Sequence, residues 1–216
     1  MATRAKEKVK IEITPPNFQI LPVRVEGTAP LMLHKFSEKM RKQIEAKQTA
    51  TDKTSAKRQP KDYSAEFNAA RYRARTGNWD GIPAGAFRAA MIAACRRVDG
   101  LPMTQAKGAF FIIADGRDET DGTPLIKIDG KVEHDTRPVR LESGVADLRN
   151  RPRYDSWACE LKIQFDADLL SANDVANLLA RAGATVGVGE LRPQGPNSYG
   201  GDFGMFRVTS QKKVSK

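Results

Sequence analysis

The chain has 216 residues, 36 Lys and Arg against 26 Asp and Glu, a formal net charge of +10 and two cysteines. That length favours one well-buried core with large insertions over two very small domains. The charge points to a polyanionic partner if the excess is gathered on one surface, and otherwise only to solubility. Cys95 and Cys159 fall at apolar positions of periodic segments and show no Cys-x-x-Cys spacing, which fits a reducing cytoplasm. Residues 1–10 are polar and basic, without an apolar run for a signal peptide or membrane span, so a soluble cytoplasmic protein and no membrane partner are expected.

Residues 19–27 alternate Leu21, Val23 and Val25 with Pro22, Arg24 and Glu26, the period of a half-buried strand. A polar helix is expected from Ser37 to Gln48, then a stretch over 49–62 too poor in apolar residues to pack. Helical character resumes at 63–75, with Phe67, Ala70 and Ala74 at turn spacing. In the segment 82–98, Phe87, Ala90, Met91, Ala94 and Val98 form the stripe of an amphipathic helix. Phe110 to Ala114 reads as a short buried strand ended by Asp115-Gly116, and Pro124 to Ile128 as a hairpin arm. Trp157, Cys159, Leu161, Ile163 and Phe165 alternate without fault with Glu160, Lys162 and Gln164, which marks a strand. Ser171 and Asp174 start a second amphipathic helix through Val175, Leu178, Leu179 and Ala182, with Gly183 as its stop. A last strand is expected over 203–208. The order implies an α+β fold, a ferredoxin-like (RRM-like) split βαββαβ core forming a single domain, with insertions at 31–80 and 115–156.

Three constellations bear on function. The first insertion is basic, with Lys39, Arg41, Lys42, Lys47, Lys53, Lys57, Arg58 and Lys61 against Glu38, Glu45, Asp52 and Asp62. It is either a phosphate clamp or a solvated loop. The second holds Arg137, Arg140, Arg149, Arg151 and Arg153, whose guanidinium forks match phosphate oxygens and stack on bases, unless Asp147 and Asp155 engage them in local ion pairs. The third is the glycine-rich run 183–206, including Gly187, Gly189, Gly200 and Gly201, whose glycines permit close backbone approach to a ligand or simply tight turns. It lacks both the Gly-Lys-Ser/Thr ending of a phosphate-binding loop and the third glycine of a dinucleotide fingerprint, so no nucleotide cofactor is expected.

Lys107-Gly108 before Phe110 and Phe111 does not match the aromatic spacing of an RRM strand, and the outward residues of 157–165 are Glu, Lys and Gln, so base stacking on the open sheet is not expected. With His34 and His134 the only histidines, no metal site is expected. His34 is a candidate for general acid–base cleavage of RNA or an ordinary loop histidine.

GIPAGAFRAAMIAACR at 81–96 resembles the Ile-Pro-Gly-x-x-hydrophobic-Arg helix start of the RAMP superfamily. AGATVGVGELRP together with GGDFGMF resembles its carboxyl-terminal glycine-rich loop. Ala84 and Gly85 follow Pro83 where the superfamily has glycine and serine; Arg88 matches its basic residue. The chain also looks like phage or prophage proteins. The resemblance implies kinship with the backbone subunits of CRISPR effector complexes, non-enzymatic proteins with an RRM-like palm, fingers and a thumb. By that likeness Arg149, Arg151 and Arg153 lie in the thumb, Lys35, Arg41 and Lys42 in the fingers, and Arg192 beside the glycine loop. The implied partners are single-stranded RNA or DNA and further copies of the chain in a head-to-tail filament. The same superfamily also contains metal-independent endoribonucleases, and a phage structural protein with an acidic partner is a third class.

Overall fold

The computed structural model describes residues 14–36, 62–140, 144, 146–195 and 201–211. Strand β1 (Phe18–Gly27) buries Leu21, Val23 and Val25 and turns the intervening residues outward, as its alternation requires. Two residues form β2 (Leu31–Met32). Helix α1 (Tyr63–Ala69) starts at Asp62, whose side chain accepts the Ala65 N–H at 3.0 Å. It ends well before residue 75, because the chain doubles back, with Arg73 bridged to Asp80 and positive φ at Gly77 (86°) and Asn78 (47°). The expected helix at 37–48 lies outside the described residues.

Next come β3 (Gly81–Pro83), α2 (Ala84–Ala94), a 3₁₀ turn (Cys95–Arg97), α3 (Met103–Ala109) and β4 (Phe110–Ile113). The remaining elements are β5 (Gly116–Arg117), β6 (Pro124–Lys127), β7 (Asp129–Arg140), β8 (Ala146–Asp166), α4 (Ala172–Thr185) and β9 (Phe206–Gln211). The fold is thus mixed α+β, with four α-helices among the described residues and antiparallel strand pairing.

β8 organises the main sheet. Its residues 162–165 pair with β4 on one edge and β1 on the other, and β1 pairs onward with β9, giving the order β4-β8-β1-β9. Beyond residue 158 toward its start, β8 continues with β7 on the β4 edge and β2 on the β1 edge. The segment 115–156 is therefore only partly an insertion: its second half is the same strand as the core alternation. Pro124 to Lys127 is a hairpin arm, paired antiparallel with β5 across the turn at 118–123, and with β3 on its other edge it completes a small separate sheet ordered β3-β6-β5.

α2 and α4 pack together on one face of the main sheet, where Phe87, Met91, Val175 and Leu179 meet Val23, Leu161 and Ile163. Phe206 contacts Phe87 and Trp157 edge-to-face, with centroids 5.6 and 6.2 Å away, tying α2, β8 and β9 into one core. The capping box of α4 is present, with Ser171 and Asp174 each satisfying the other's backbone N–H. Gly183 does not stop this helix. It is buried inside it, and a Cβ there would overlap the Phe206 carbonyl. The stop falls at Gly187, with φ 73° and its N–H on the Ala182 carbonyl at 3.0 Å. Both cysteines are buried thiols. Among the described residues no helix is long and apolar enough to cross a membrane.

Candidate nucleic-acid interface

The β7–β8 hairpin carries the arginine cluster. Its register sets Arg149 opposite Arg137, Arg151 opposite Asp135 and Arg153 opposite Glu133, so alternation puts all six on one face. Acids on that face meet the arginines directly. Arg137 Nε lies 2.8 Å from Asp135, Arg149 Nε 3.3 Å from Asp147, and Arg153 Nε 2.6 Å from Asp155, with Asp135 a further 3.5 Å partner. Arg151 is only 7% exposed, with Nη1 3.9 Å from the Met32 sulfur. Over 129–139 and 146–156, five basic residues are matched by five acidic ones. Of the two possibilities open in the sequence, local ion pairing is what the hairpin displays. Its other face seats α1: Asn150 donates to Glu66 at 2.7 Å, and His134 packs 4.6 Å from the Phe67 ring.

Two other candidate cations also have roles within the fold. Lys35 is not a surface finger residue. It is 6% exposed, pairs with the fully buried Asp118 and stands 5.7 Å from the Tyr72 ring centroid. Asp118 also accepts the N–H groups of Thr120 and Asp121, so the acidic turn at 115–121 is organised around this lysine. Arg88 donates to the carbonyls of Lys107, in the last turn of α3, and Phe110, and lies 4.7 Å from the Phe111 ring. Arg41, Lys42 and Gly200 lie outside the described residues.

The glycine-rich loop folds onto itself and onto β2. A Cβ at Gly189 would strike the Met32 carbonyl, one at Gly204 the Val188 carbonyl, and one at Gly201 the Leu191 carbonyl. Gly187, Gly189 and Gly204 also have positive φ. Tight packing therefore accounts for these glycines. Arg192 is held in the loop, donating from Nη1 to the Gly189 carbonyl at 2.6 Å. Arg137 touches the loop from the hairpin, 4.9 Å from the Phe203 ring.

Between this loop, the end of β2 and α2 lies a cleft of about 220 Å³, with His34, Tyr72, Glu190, Arg192 and Gln194 among its lining. Burial, reinforced by the charges of Arg151 and Arg149, lowers the His34 pKa below the ordinary imidazole value. Burial also raises the Tyr72 pKa, followed in effect by Asp121 and Asp118. At neutral pH the cleft thus presents a neutral imidazole and a protonated phenol. No family model and no curated protein matches this chain.

Taken together, the described residues hold 21 Lys and Arg against 20 Asp and Glu. The chain's positive excess therefore belongs to other segments, chiefly 1–13, 37–61 and 212–216. The largest, 37–61, has eight basic residues and three acidic ones. It follows Phe36, two residues past His34, and precedes Asp62, the cap of the helix seated on the hairpin. Sequence reasoning singled out His34 but missed Tyr72, Glu190 and Gln194. Glu190 and Gln194 sit inside the glycine run and show no spacing of their own.

Proposed function

We propose that this chain is a non-catalytic, largely sequence-independent single-stranded nucleic-acid-binding protein that assembles head to tail along the strand. The proposed architecture is a ferredoxin-like, RRM-like core. Supporting it are the antiparallel order β4-β8-β1-β9, the placement of α2 in the chain between β1 and β4, and that of α4 between β8 and β9.

The observation that carries the binding reading is the segregation of charge. The described residues are close to neutral and the positive excess lies in other segments, one of which joins Phe36, next to cleft residues in the chain, to Asp62, the cap of the helix seated on the hairpin. A polyanion engaging such segments releases its condensed counterions, a sequence-independent source of affinity. In this reading phosphates are met first by segment 37–61, including Arg41 and Lys42, while Arg192 and the hairpin arginines border the path. Kinship with the RAMP superfamily remains part of the proposal.

The test is the 260/280 nm absorbance ratio of protein purified at low salt, followed by nuclease digestion of whatever it retains. Protected fragments of regular length spacing are expected, and their sensitivity to ribonuclease or deoxyribonuclease identifies the strand. Clean protein that ignores added oligonucleotides would overturn the reading.

A second reading, metal-independent endoribonuclease, is favoured by the position of His34 in the cleft with Tyr72 and the glycine-rich loop. A neutral imidazole there is competent to accept a proton from a ribose hydroxyl. It predicts cleavage of RNA in chelator that is abolished by His34→Ala; intact RNA with the unaltered protein sinks it.

A further inference from the structure

Glu190 lines the cleft, and its carboxylate makes no hydrogen bond or ion pair with any described residue. The residue itself is firmly placed, since its backbone N–H donates to the Met32 carbonyl at 2.8 Å. Beside it Leu191 has φ 57°, a left-handed backbone that a non-glycine residue adopts at a cost. Such strain clusters where a loop must hold a ligand-facing group. Glu190 is half-buried in the cleft lining, so its carboxylate is open to the N–H groups of a ligand.

The rest of the cleft sets the shape of what can supply them. Ala86, Ala89, Ala90 and Ala93 of α2 line one wall with nothing larger than methyl groups. Tyr72 contributes an aromatic ring, near which Lys35 stands 5.7 Å from the centroid. At about 220 Å³ the space is below the roughly 300–1,000 Å³ of pockets for drug-sized ligands, which suits an occupant no larger than a single nucleobase.

We propose that this cleft takes a single unstacked guanine base from the bound strand, with the Glu190 carboxylate accepting its N1–H and N2–H groups. Guanine is the one common base whose pairing edge sets two donors side by side, the pattern a carboxylate accepts in bidentate fashion. Adenine and cytosine place a ring acceptor beside their amino group, and uracil flanks its single N–H with two carbonyls; each would set a lone pair against the carboxylate. Gln194 and Arg192 line the same cleft, and in this proposal they supply N–H donors to the guanine carbonyl or its phosphate. The proposal rests on the binding reading, to which it adds one base-reading position on an otherwise phosphate-held strand.

The experiment titrates the full chain with the 5′-monophosphates of guanosine, adenosine, cytidine and uridine by calorimetry. In parallel, it is titrated with guanine-free oligonucleotides and with the same oligonucleotides carrying one guanine. The guanosine nucleotide is expected to bind about tenfold more tightly than the others, and Glu190→Gln to bring it down to their level with an unchanged melting temperature. Equal binding of all four, no mononucleotide binding, or an unaltered preference in the variant overturns the proposal. Strand binding without guanine preference removes only the base site, whereas guanosine binding without strand affinity keeps the site and removes the binding reading.

Discussion

Replacing Lys53, Lys57, Arg58 and Lys61 with glutamine removes four charges from the basic segment and leaves every described residue unchanged in sequence. For single strands the logarithm of affinity falls against the logarithm of salt with a slope of about 0.7 per neutralised phosphate. If all four residues meet phosphates, the slope flattens by about 2.8, so between 50 and 200 mM salt the variant loses about 50-fold less affinity than the parent. The matched control is Arg149→Gln with Asp147→Asn and Arg153→Gln with Asp155→Asn, which dissolves two hairpin ion pairs and leaves net charge unchanged. Those arginines already face carboxylates at 3.3 and 2.6 Å, so a phosphate reaches them only by displacing an acid, and the slope should stay within error of the parent. The assay is fluorescence anisotropy with a labelled oligonucleotide over a salt series. A segment variant that keeps the parental slope, or a hairpin control that flattens it by about 1.4, refutes the assignment of affinity to segment 37–61.

Three further outcomes concern the fold. Lys35→Met leaves Asp118 charged and buried without its cation, and should cost about 3–5 kcal/mol in urea denaturation, with much of the loss recovered by adding Asp118→Asn. Gly183→Ala forces a methyl group onto the Phe206 carbonyl and should destabilise by about 1–3 kcal/mol, while Gly85→Ala, where a Cβ meets nothing within 4 Å, should gain about 0.4–1 kcal/mol. Because the folded pKa of His34 is depressed, the unfolded chain binds the extra proton. This contribution to stability is complete above the ordinary imidazole pKa and is lost as pH falls through the depressed one. Melting temperatures measured from pH 7.5 to 5.5 should therefore fall less steeply for His34→Gln than for the parent; parallel curves would refute the shift.

The elements most legible in the sequence are those with one dry face. Trp157 to Phe165 and the stripe from Phe87 to Ala94 each set apolar side chains against a single core, so periodicity reveals them. The outer part of β8 obeys the same alternation but sets Arg149, Arg151 and Arg153 against Leu148, Asn150 and Pro152, a contrast of charge and size that hydrophobicity does not register. Helix α3 has seven residues and the strands of the small sheet two to four, too few for any period to emerge. The candidate site was legible only by composition. Arginine density marked the hairpin correctly as charged, yet the acids that neutralise it come from positions brought into line by register. Lys35 looked like a surface cation because its partner, Asp118, is 83 residues away in sequence. Glu190 stood in a run whose glycines are explained by packing.

The continuity of β8 also has a mechanical consequence. Twenty-one residues at about 3.3 Å each make a rod of roughly 70 Å, with one end clamped between β1 and β4 and the other projecting as half of the hairpin. No loop interrupts it, so there is no joint at which the projecting half could swivel independently. A load on the hairpin is transmitted as bending and torsion into the strand beneath α2 and α4, and α1, braced against one face through Asn150, stiffens its outer part. The span from hairpin to cleft is thereby fixed as a ruler is fixed, and copies stacked end on end would inherit the same spacing.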